Sequence, residues 1–259
     1  MLEQITEIVK EASKIMMKRD FEMSIKGNES NYVTSADIAV QEYLKSQLAS
    51  LLPEAAFVGE EQDAVAVDAE YVWIVDPIDG TSNFTRDLKM SAISVALYRD
   101  LQPYIGVVYQ PYYDEMFSAK KGEGAYLNGK PIKVSGRDFA HSHLCSAMSL
   151  YDKSLADPCF RIIERVYKEA DDLRRLGTAA YELCLVACGR VELYFEIRLS
   201  CWDYAAAAVI IEEAGGHVDL MFNDRINLIK PMTVIAAGRK DSFEHLCDIV
   251  YDEIKEPLF

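Results

Sequence analysis

The segment Tyr71-Val72-Trp73-Ile74-Val75-Asp76-Pro77-Ile78-Asp79-Gly80 constrains this chain more than any other. Its first five residues are an unbroken apolar run of β-formers, which predicts a buried strand, and the run breaks at Asp76-Pro77 into a loop. Taken alone, the break reads in two ways. Asp-Pro and Asp-Gly are both turn dipeptides. Equally, two carboxylates three residues apart at the end of a buried strand can converge on cations from one side. Gly80 would let the backbone approach a ligand closely, and Thr81-Ser82-Asn83 would open a short helix whose free N–H groups point at an anion. Hard oxygen ligands of this sort suit Mg²⁺, which keeps several waters and commonly engages substrate phosphate.

Around this segment the periodicities alternate. Leu2, Ile5, Val9, Ala12 and Met16 predict an amphipathic helix, and a second runs from about Ser35 to Leu48. Apolar runs at 91–98, 103–110, 116–119 and 124–127 predict an antiparallel meander. Beyond it, helices near 158–170, 179–188, 202–214 and 241–254 separate strands near 172–176, 191–197, 217–220 and 233–237. There is no internal repeat and no Ser/Gly/Pro linker. The chain therefore reads as one catalytic unit, 1–259, whose best internal border, near 135–145, would part an α+β half (1–140) from an α/β half (141–259).

The 259 residues carry 27 basic and 42 acidic side chains, a formal charge of −15. That balance opposes binding to nucleic acid and to anionic lipid. It serves either solubility or the concentration of carboxylates around hard cations. The first residues show no basic region ahead of an apolar run, so no signal peptide is expected, and the longest apolar stretch is far short of the ~18 residues that span a bilayer. Six cysteines without a CxxC pair fit reduced thiols. A soluble, cytoplasmic protein with no nucleic-acid or membrane partner is expected. His141 and His143 alternate in a possible strand, but without a third histidine or a CxxC they are ordinary residues rather than a zinc site.

Two further acidic positions share the strand-end or helix-start setting. Glu60-Glu61 comes directly after Val58-Gly59, and Asp203 opens an Ala-rich helix after Cys201-Trp202. Singly, the first is a solvated loop charge and the second a first-turn carboxylate that complements the helix dipole. Together with Val33-Thr34-Ser35-Ala36-Asp37, the whole run Trp73 to Phe84, and Trp202-Asp203-Tyr204-Ala205-Ala206 continuing to Glu213-Ala214-Gly215-Gly216, they closely resemble the inositol monophosphatase family of Mg²⁺-dependent, lithium-sensitive phosphatases. The matches keep the family's order and spread over most of the chain.

The resemblance implies an α/β sugar-phosphatase fold with alternating helix and sheet layers (αβαβα), and a homodimer. It implies that Glu60, Asp76 and the carbonyl of Ile78 hold one Mg²⁺, that Asp76, Asp79 and Asp203 hold a second, and that Glu60 contacts a third through waters. Phosphate would lie on the N–H groups of Gly80 and Thr81. Thr81 with Asp37, alongside Glu60, would orient and deprotonate the attacking water. Lys26 stands where the family places a mobile-loop lysine. Gly177, Thr178, the N–H of Ala179, Glu196, Asp79 and Asp203 would contact the alcohol, a polyol or sugar. Inositol monophosphate is the first expected substrate, with fructose 1,6-bisphosphate or 3′-phosphoadenosine 5′-phosphate as alternatives. A catalytically silent relative that binds a metal or a partner is the reading from another class. The region Ser142 to Arg174 departs from the family's pattern.

Overall fold

The computed structural model describes residues 1–25, 32–62, 67–148, 152–223 and 225–259. Helices α1 (Leu2–Met16) and α2 (Ser35–Leu51) flank a short antiparallel ribbon of β1 (Met23–Ile25) and β2 (Tyr32–Thr34). A seven-stranded sheet continues in chain order: β3 (Ala56–Gly59), β4 (Tyr71–Asp79), β5 (Ala92–Arg99), β6 (Gln102–Gln110), β7 (Glu115–Lys120), β8 (Ala125–Leu127) and β9 (Lys130–Pro131). Only the β3–β4 pair is parallel; the rest is the expected meander. The short helix α3 (Thr81–Thr85) leaves the end of β4.

A five-stranded mixed sheet has the order β11 (Asp172–Arg174), β10 (His143–Ala147), β12 (Leu193–Leu199), β14 (Met232–Ala237), β13 (His217–Leu220). It is interleaved with α4 (Ala156–Glu169), α5 (Ala179–Ala187), α6 (Cys201–Glu213) and α7 (Lys240–Glu253).

Strand alternation explains the layering. In β4, Val72 and Ile74 enter one core while Trp73 and Val75 enter another, and in β5 Ala96 and Tyr98 oppose Val95 and Leu97 in the same way. A sheet buried on both faces reads as continuous apolar sequence, as it does here. One face packs on Ile5, Val9, Leu44 and Leu48 of α1 and α2. The other packs on α5 and α6, which also touch the second sheet through Tyr194, Val234 and Ala236. The far face of that sheet is covered by Ile162 and Val166 of α4 and Leu246 and Val250 of α7. The result is the expected αβαβα order. Helix α6 lies between two sheets, and nine of its residues are buried. A helix apolar all round has no other stable place.

The helices fall within a few residues of their expected spans. The strands differ more, and β10 (His143–Ala147) lies outside the expected strand spans. Strands β1, β2 and β3 have three or four residues each, too short for a periodic signal, so only their pairing defines them. Strand β4 does not stop at Val75 but runs through Asp79. His141 lies in a 3₁₀ turn rather than a strand, its ring held 2.6 Å from Asp138. Among the described residues, no helix is long and apolar enough to cross a membrane.

Candidate active site

Side chains at positions 76 and 79 of a regular strand would point to opposite faces, because the side-chain period is two. The register shows how both carboxylates reach one cleft. Asp76 pairs with Ser94 and Asp79 with Ala92, so three steps on β4 match two on β5. The extra residue is a bulge, which re-aims the side chains beyond it. Pro77 fits there because it has no N–H to give to a ladder. The freed N–H of Ile78 turns back onto Asp76 Oδ1 at 3.0 Å. Asp76 and Asp79 then line one cleft with Glu60 and Asp203.

Glu60 is placed by β3, whose parallel pairing ends with Gly59 beside Val75 and continues as Glu60 N–H donating to Val75 O at 3.2 Å. Asp203 sits in the first turn of α6, where it accepts the Ser200 N–H at 2.7 Å. Asp79 accepts the Thr178 hydroxyl, the Ala179 N–H at 3.1 Å and the Ala180 N–H at 2.9 Å. One carboxylate thereby caps α5, tying the meander to the helical layer.

Asp37 is the third residue of α2 and closes a capping box with Thr34, accepting its N–H at 2.7 Å and its hydroxyl. The other oxygen of Asp37 stands 3.1 Å from Thr81 Oγ1, which is also 3.0 Å from Ile78 O. Thr81 has a single hydroxyl proton, so it donates to one of these at a time. Gly80 takes φ +85° before α3; a Cβ there would meet the carbonyls of Gly177 and Met90 at 3.0 Å. The first N–H groups of a helix lack intrahelical partners, and Gly80 and Thr81 line the cleft.

Around Asp76 the neighbouring charges are all acidic. Burial raises the pKa of Asp76 well above the usual carboxylate range, and the charges of Glu60, Asp79, Asp203 and Asp37 raise it further. Burial likewise raises Asp203, with Asp79 adding to it. Asp79 is pushed up to about 6 by burial, against the pull of its hydrogen bonds from Thr178, Ala180 and Ala179. Among the described residues, no three Asp, Glu, His or Cys side chains are already gathered at metal-holding spacing. Asp76, Asp79 and Asp203 are instead turned onto local N–H donors. With Glu60 they line one cleft, and such a set of hard oxygen donors fits Mg²⁺.

These carboxylates should make stability depend on pH and on metal together. Because the folded pKa of Asp79, about 6, exceeds its ordinary 3.8, the unfolded chain ionises first, and metal-free stability falls as pH rises through 4 to 6. Mg²⁺ binding must displace those protons. At saturating Mg²⁺ the rise in Tm should be about 5 °C or more at pH 8 and much smaller at pH 5. Equal shifts at both pH values in a thermal melt would contradict this placement of the carboxylates.

A model of the inositol monophosphatase family matches residues 1–255. The chain belongs to that family. It is 39% identical over 193 residues to "Inositol monophosphatase 3" of Solanum lycopersicum, covering 72% of each chain. It is 35% identical over 189 residues to "Fructose-1,6-bisphosphatase/inositol-1-monophosphatase" of Aquifex aeolicus, covering 73% of this chain and 72% of that one. Its fold superposes on the inositol monophosphatase of Anabaena (Nostoc) sp. PCC 7120 with a TM-score of 0.84 at 28% identity, covering 99% of this chain and 96% of the other. Membership makes the chain a phosphatase of a Mg²⁺-dependent family.

For this member of the inositol monophosphatase family, Gly177, Thr178 and Ala179 all line the cleft, as does Glu196. The Thr178 hydroxyl and the Ala179 N–H donate to Asp79. Glu196 lies inside β12 rather than at its end, taking the Tyr194 hydroxyl at 2.6 Å. Burial lifts its pKa to about 8. Lys26 lies outside the described residues.

Three cleft residues are not singled out by any motif. Glu182 is fully buried, with its pKa raised to about 7 by burial, and accepts the N–H groups of Leu176 at 2.7 Å and Thr178 at 3.4 Å. It holds the Gly177 turn against α5. A signal for it exists in the sequence, where it is the lone charge in the apolar run Ala179 to Ala187. Arg175 and Arg198 also line the cleft; in the sequence nothing distinguishes them from surface arginines.

Proposed function

We propose that this chain hydrolyses the phosphate monoester of a polyol or sugar, inositol monophosphate first among the candidates, releasing inorganic phosphate in a Mg²⁺-dependent, lithium-sensitive reaction. The residues that would hold the cation are Glu60, Asp76, Asp79, Asp203 and the Ile78 carbonyl. When bound, two or three Mg²⁺ ions would lower the pKa of a water and neutralise phosphate oxygens. The single observation that carries the reading is the β4 bulge, which turns Asp76 and Asp79 into one cleft beside the Thr81–Asp37 pair.

The protein's own groups have distinct tasks. Gly80 and Thr81 present N–H groups to the phosphate at the start of α3. Asp37, raised to about 6 chiefly by burial, is close enough to neutrality to take a proton relayed through Thr81. Glu196, lifted to about 8, is protonated at neutral pH and can donate to a hydroxyl of the alcohol as well as accept from one. A homodimer in the cytoplasm belongs to the same reading.

The test is a phosphate-release panel in Mg²⁺ with inositol 1-phosphate, fructose 1,6-bisphosphate, 3′-phosphoadenosine 5′-phosphate and glycerol phosphate. Turnover of one or more at a rate abolished by chelator is the expected result. The likeness to the Aquifex relative is the reason for the fructose bisphosphate arm. Silence on every substrate would instead favour a relative that binds a metal or a partner without catalysis.

A further inference from the structure

The side-chain amide of Asn83, in the middle of α3, meets three backbone carbonyls at once: Met90 O at 2.8 Å, Leu176 O at 2.7 Å and Gly177 O at 3.1 Å. Carbonyl oxygens only accept, so the amide nitrogen must be the atom that faces them. Its two hydrogens serve the two shorter contacts, and Gly177 O shares one of them. Met90 leads into β5, in the same sheet as β4, whereas Leu176 and Gly177 form the turn before α5, 93 and 94 positions further along the chain. Asn83 is not among the residues that line the cleft, but the segments it joins are. Gly80, Thr81 and Ser82 line the phosphate end, and Gly177, Thr178 and Ala179 line the alcohol end.

Each end has ties of its own. At the phosphate end, Gly80 O accepts the Asn83 N–H at 2.9 Å and the Ser91 hydroxyl at 3.1 Å. At the alcohol end, Glu182 accepts the Leu176 N–H at 2.7 Å from behind. Two side chains cross from one end to the other. Asp79 takes the Thr178 hydroxyl and the N–H groups of Ala179 and Ala180, and Asn83 holds the carbonyls of Leu176 and Gly177. The oxygens of Asp79 are also among those proposed to hold Mg²⁺, so they have two claims on them. The Asn83 amide nitrogen is a neutral donor with no such second claim. The approach is close: a Cβ on Gly177, which takes φ +79°, would stand 3.2 Å from Asn83 Nδ2.

Attack on an ester held at both its phosphate and its alcohol demands that the two ends of the cleft keep one separation, because small misplacements of reacting groups cost large factors in rate. We infer that Asn83 is a positioning residue for the reaction. It fixes the Leu176–Gly177 turn against α3, and so sets the alcohol end at the distance from the Gly80 and Thr81 N–H groups that presents the ester bond to attack. This rests on the phosphatase reading above. A consequence separates it from simple support of the fold. An ester whose alcohol grips the far end depends on the joint, whereas one whose alcohol has no hydroxyl to offer there does not.

The experiment measures kcat and KM at saturating Mg²⁺, well below the Tm, for the wild type and for Asn83→Ala, N83D and N83Q. The substrates are inositol 1-phosphate, fructose 1,6-bisphosphate and p-nitrophenyl phosphate, the last with an alcohol that carries no further hydroxyl. For whichever of the first two the wild type hydrolyses, N83A should lower kcat/KM by about tenfold or more, mainly through kcat, while p-nitrophenyl phosphate loses no more than about threefold. N83D keeps the shape but sets a carboxylate against three carbonyls, and should fall at least as far. N83Q keeps the amide donor and should recover part of the loss. Should N83A not fold, the same ratio is read from N83S, whose hydroxyl is too short to reach all three carbonyls. Asn128 supplies the control outside the cleft: its amide donates to Asp114 O at 2.7 Å and accepts the Met116 N–H at 2.8 Å, so N128A should lower Tm without changing the ratio between substrates. An equal fall on all substrates, or no fall in a folded variant, overturns the proposal and leaves the phosphatase reading intact. Hydrolysis of p-nitrophenyl phosphate alone by the wild type overturns the proposal together with the polyol or sugar substrate, and no release from any of the three overturns the phosphatase reading as well.

Discussion

Asp76→Asn is expected to lower phosphate release by about 10³-fold or more while leaving the folded protein at least as stable as before. The two effects have one cause. Asp76 is almost fully buried, and burial together with four neighbouring carboxylates disfavours its charged form. Asparagine has the same shape, keeps an oxygen for the Ile78 N–H, and removes the charge. Metal-free Tm should therefore rise by a few degrees at pH 8, where the repulsion is fully developed, and by less near pH 4. The same substitution removes the donor that both expected cation sites share, so the Mg²⁺-dependent rise in Tm should largely vanish. Turnover within tenfold of wild type would falsify the assignment. A fall in metal-free Tm at pH 8 would show that Asp76 is a structural anchor instead.

Gly106→Ala should give the largest loss of stability for the smallest change in composition. Gly106 lies in β6 between Ala96 of β5 and Ala119 of β7, a row of small residues across the sheet. On that row rests the Ala205–Ala208 stretch of α6, with all four alanines buried. A Cβ at 106 would stand 2.2 Å from the carbonyl oxygen of Ala206 and 3.1 Å from Val209 Cβ. Neither is the far end of a flexible side chain, so the helix itself must move. Overpacking of this kind costs about 3 kcal/mol, or a Tm lowered by about 6–10 °C in a chain of this size. Because α6 carries Asp203 in its first turn, the displacement should also depress kcat. Melting within about 1 °C of wild type, measured alongside kcat, would show that helix and sheet are not in fixed contact there.

How far the sequence revealed this protein depended on whether a feature was local. The acidic motif at Asp76 to Phe84, the Ala-rich helix behind Asp203 and the amphipathic first helix each declare themselves over a few consecutive residues, and the layered fold is built from them. The bulge does not declare itself. Asp76-Pro77 looks like the end of a strand because proline and aspartate are poor strand formers. Only pairing with β5, which resumes at Asp79 opposite Ala92 after the β3 pairing has ended at Val75, keeps that backbone in the sheet. The commitment of the Thr178 hydroxyl and Ala179 N–H to Asp79 is also invisible in sequence, since it joins groups about a hundred positions apart. Glu182 was legible in principle, as a charge within an otherwise apolar helix.

The sandwiching of α6 between two sheets has a consequence for how such a cleft could be altered. Three of the four carboxylates proposed to hold the metal, Asp76, Asp79 and Asp203, are anchored in β4, inside its sheet, and at the start of α6, between the two sheets. Nearly any change there disturbs two packed layers at once. Arg175 and Arg198, by contrast, project from the open ends of strands, where a side chain can be exchanged without moving its neighbours. Mutational tolerance should therefore be graded along the cleft, rigid at the phosphate and permissive at the alcohol, so that substrate choice can drift while the hydrolytic chemistry stays in place.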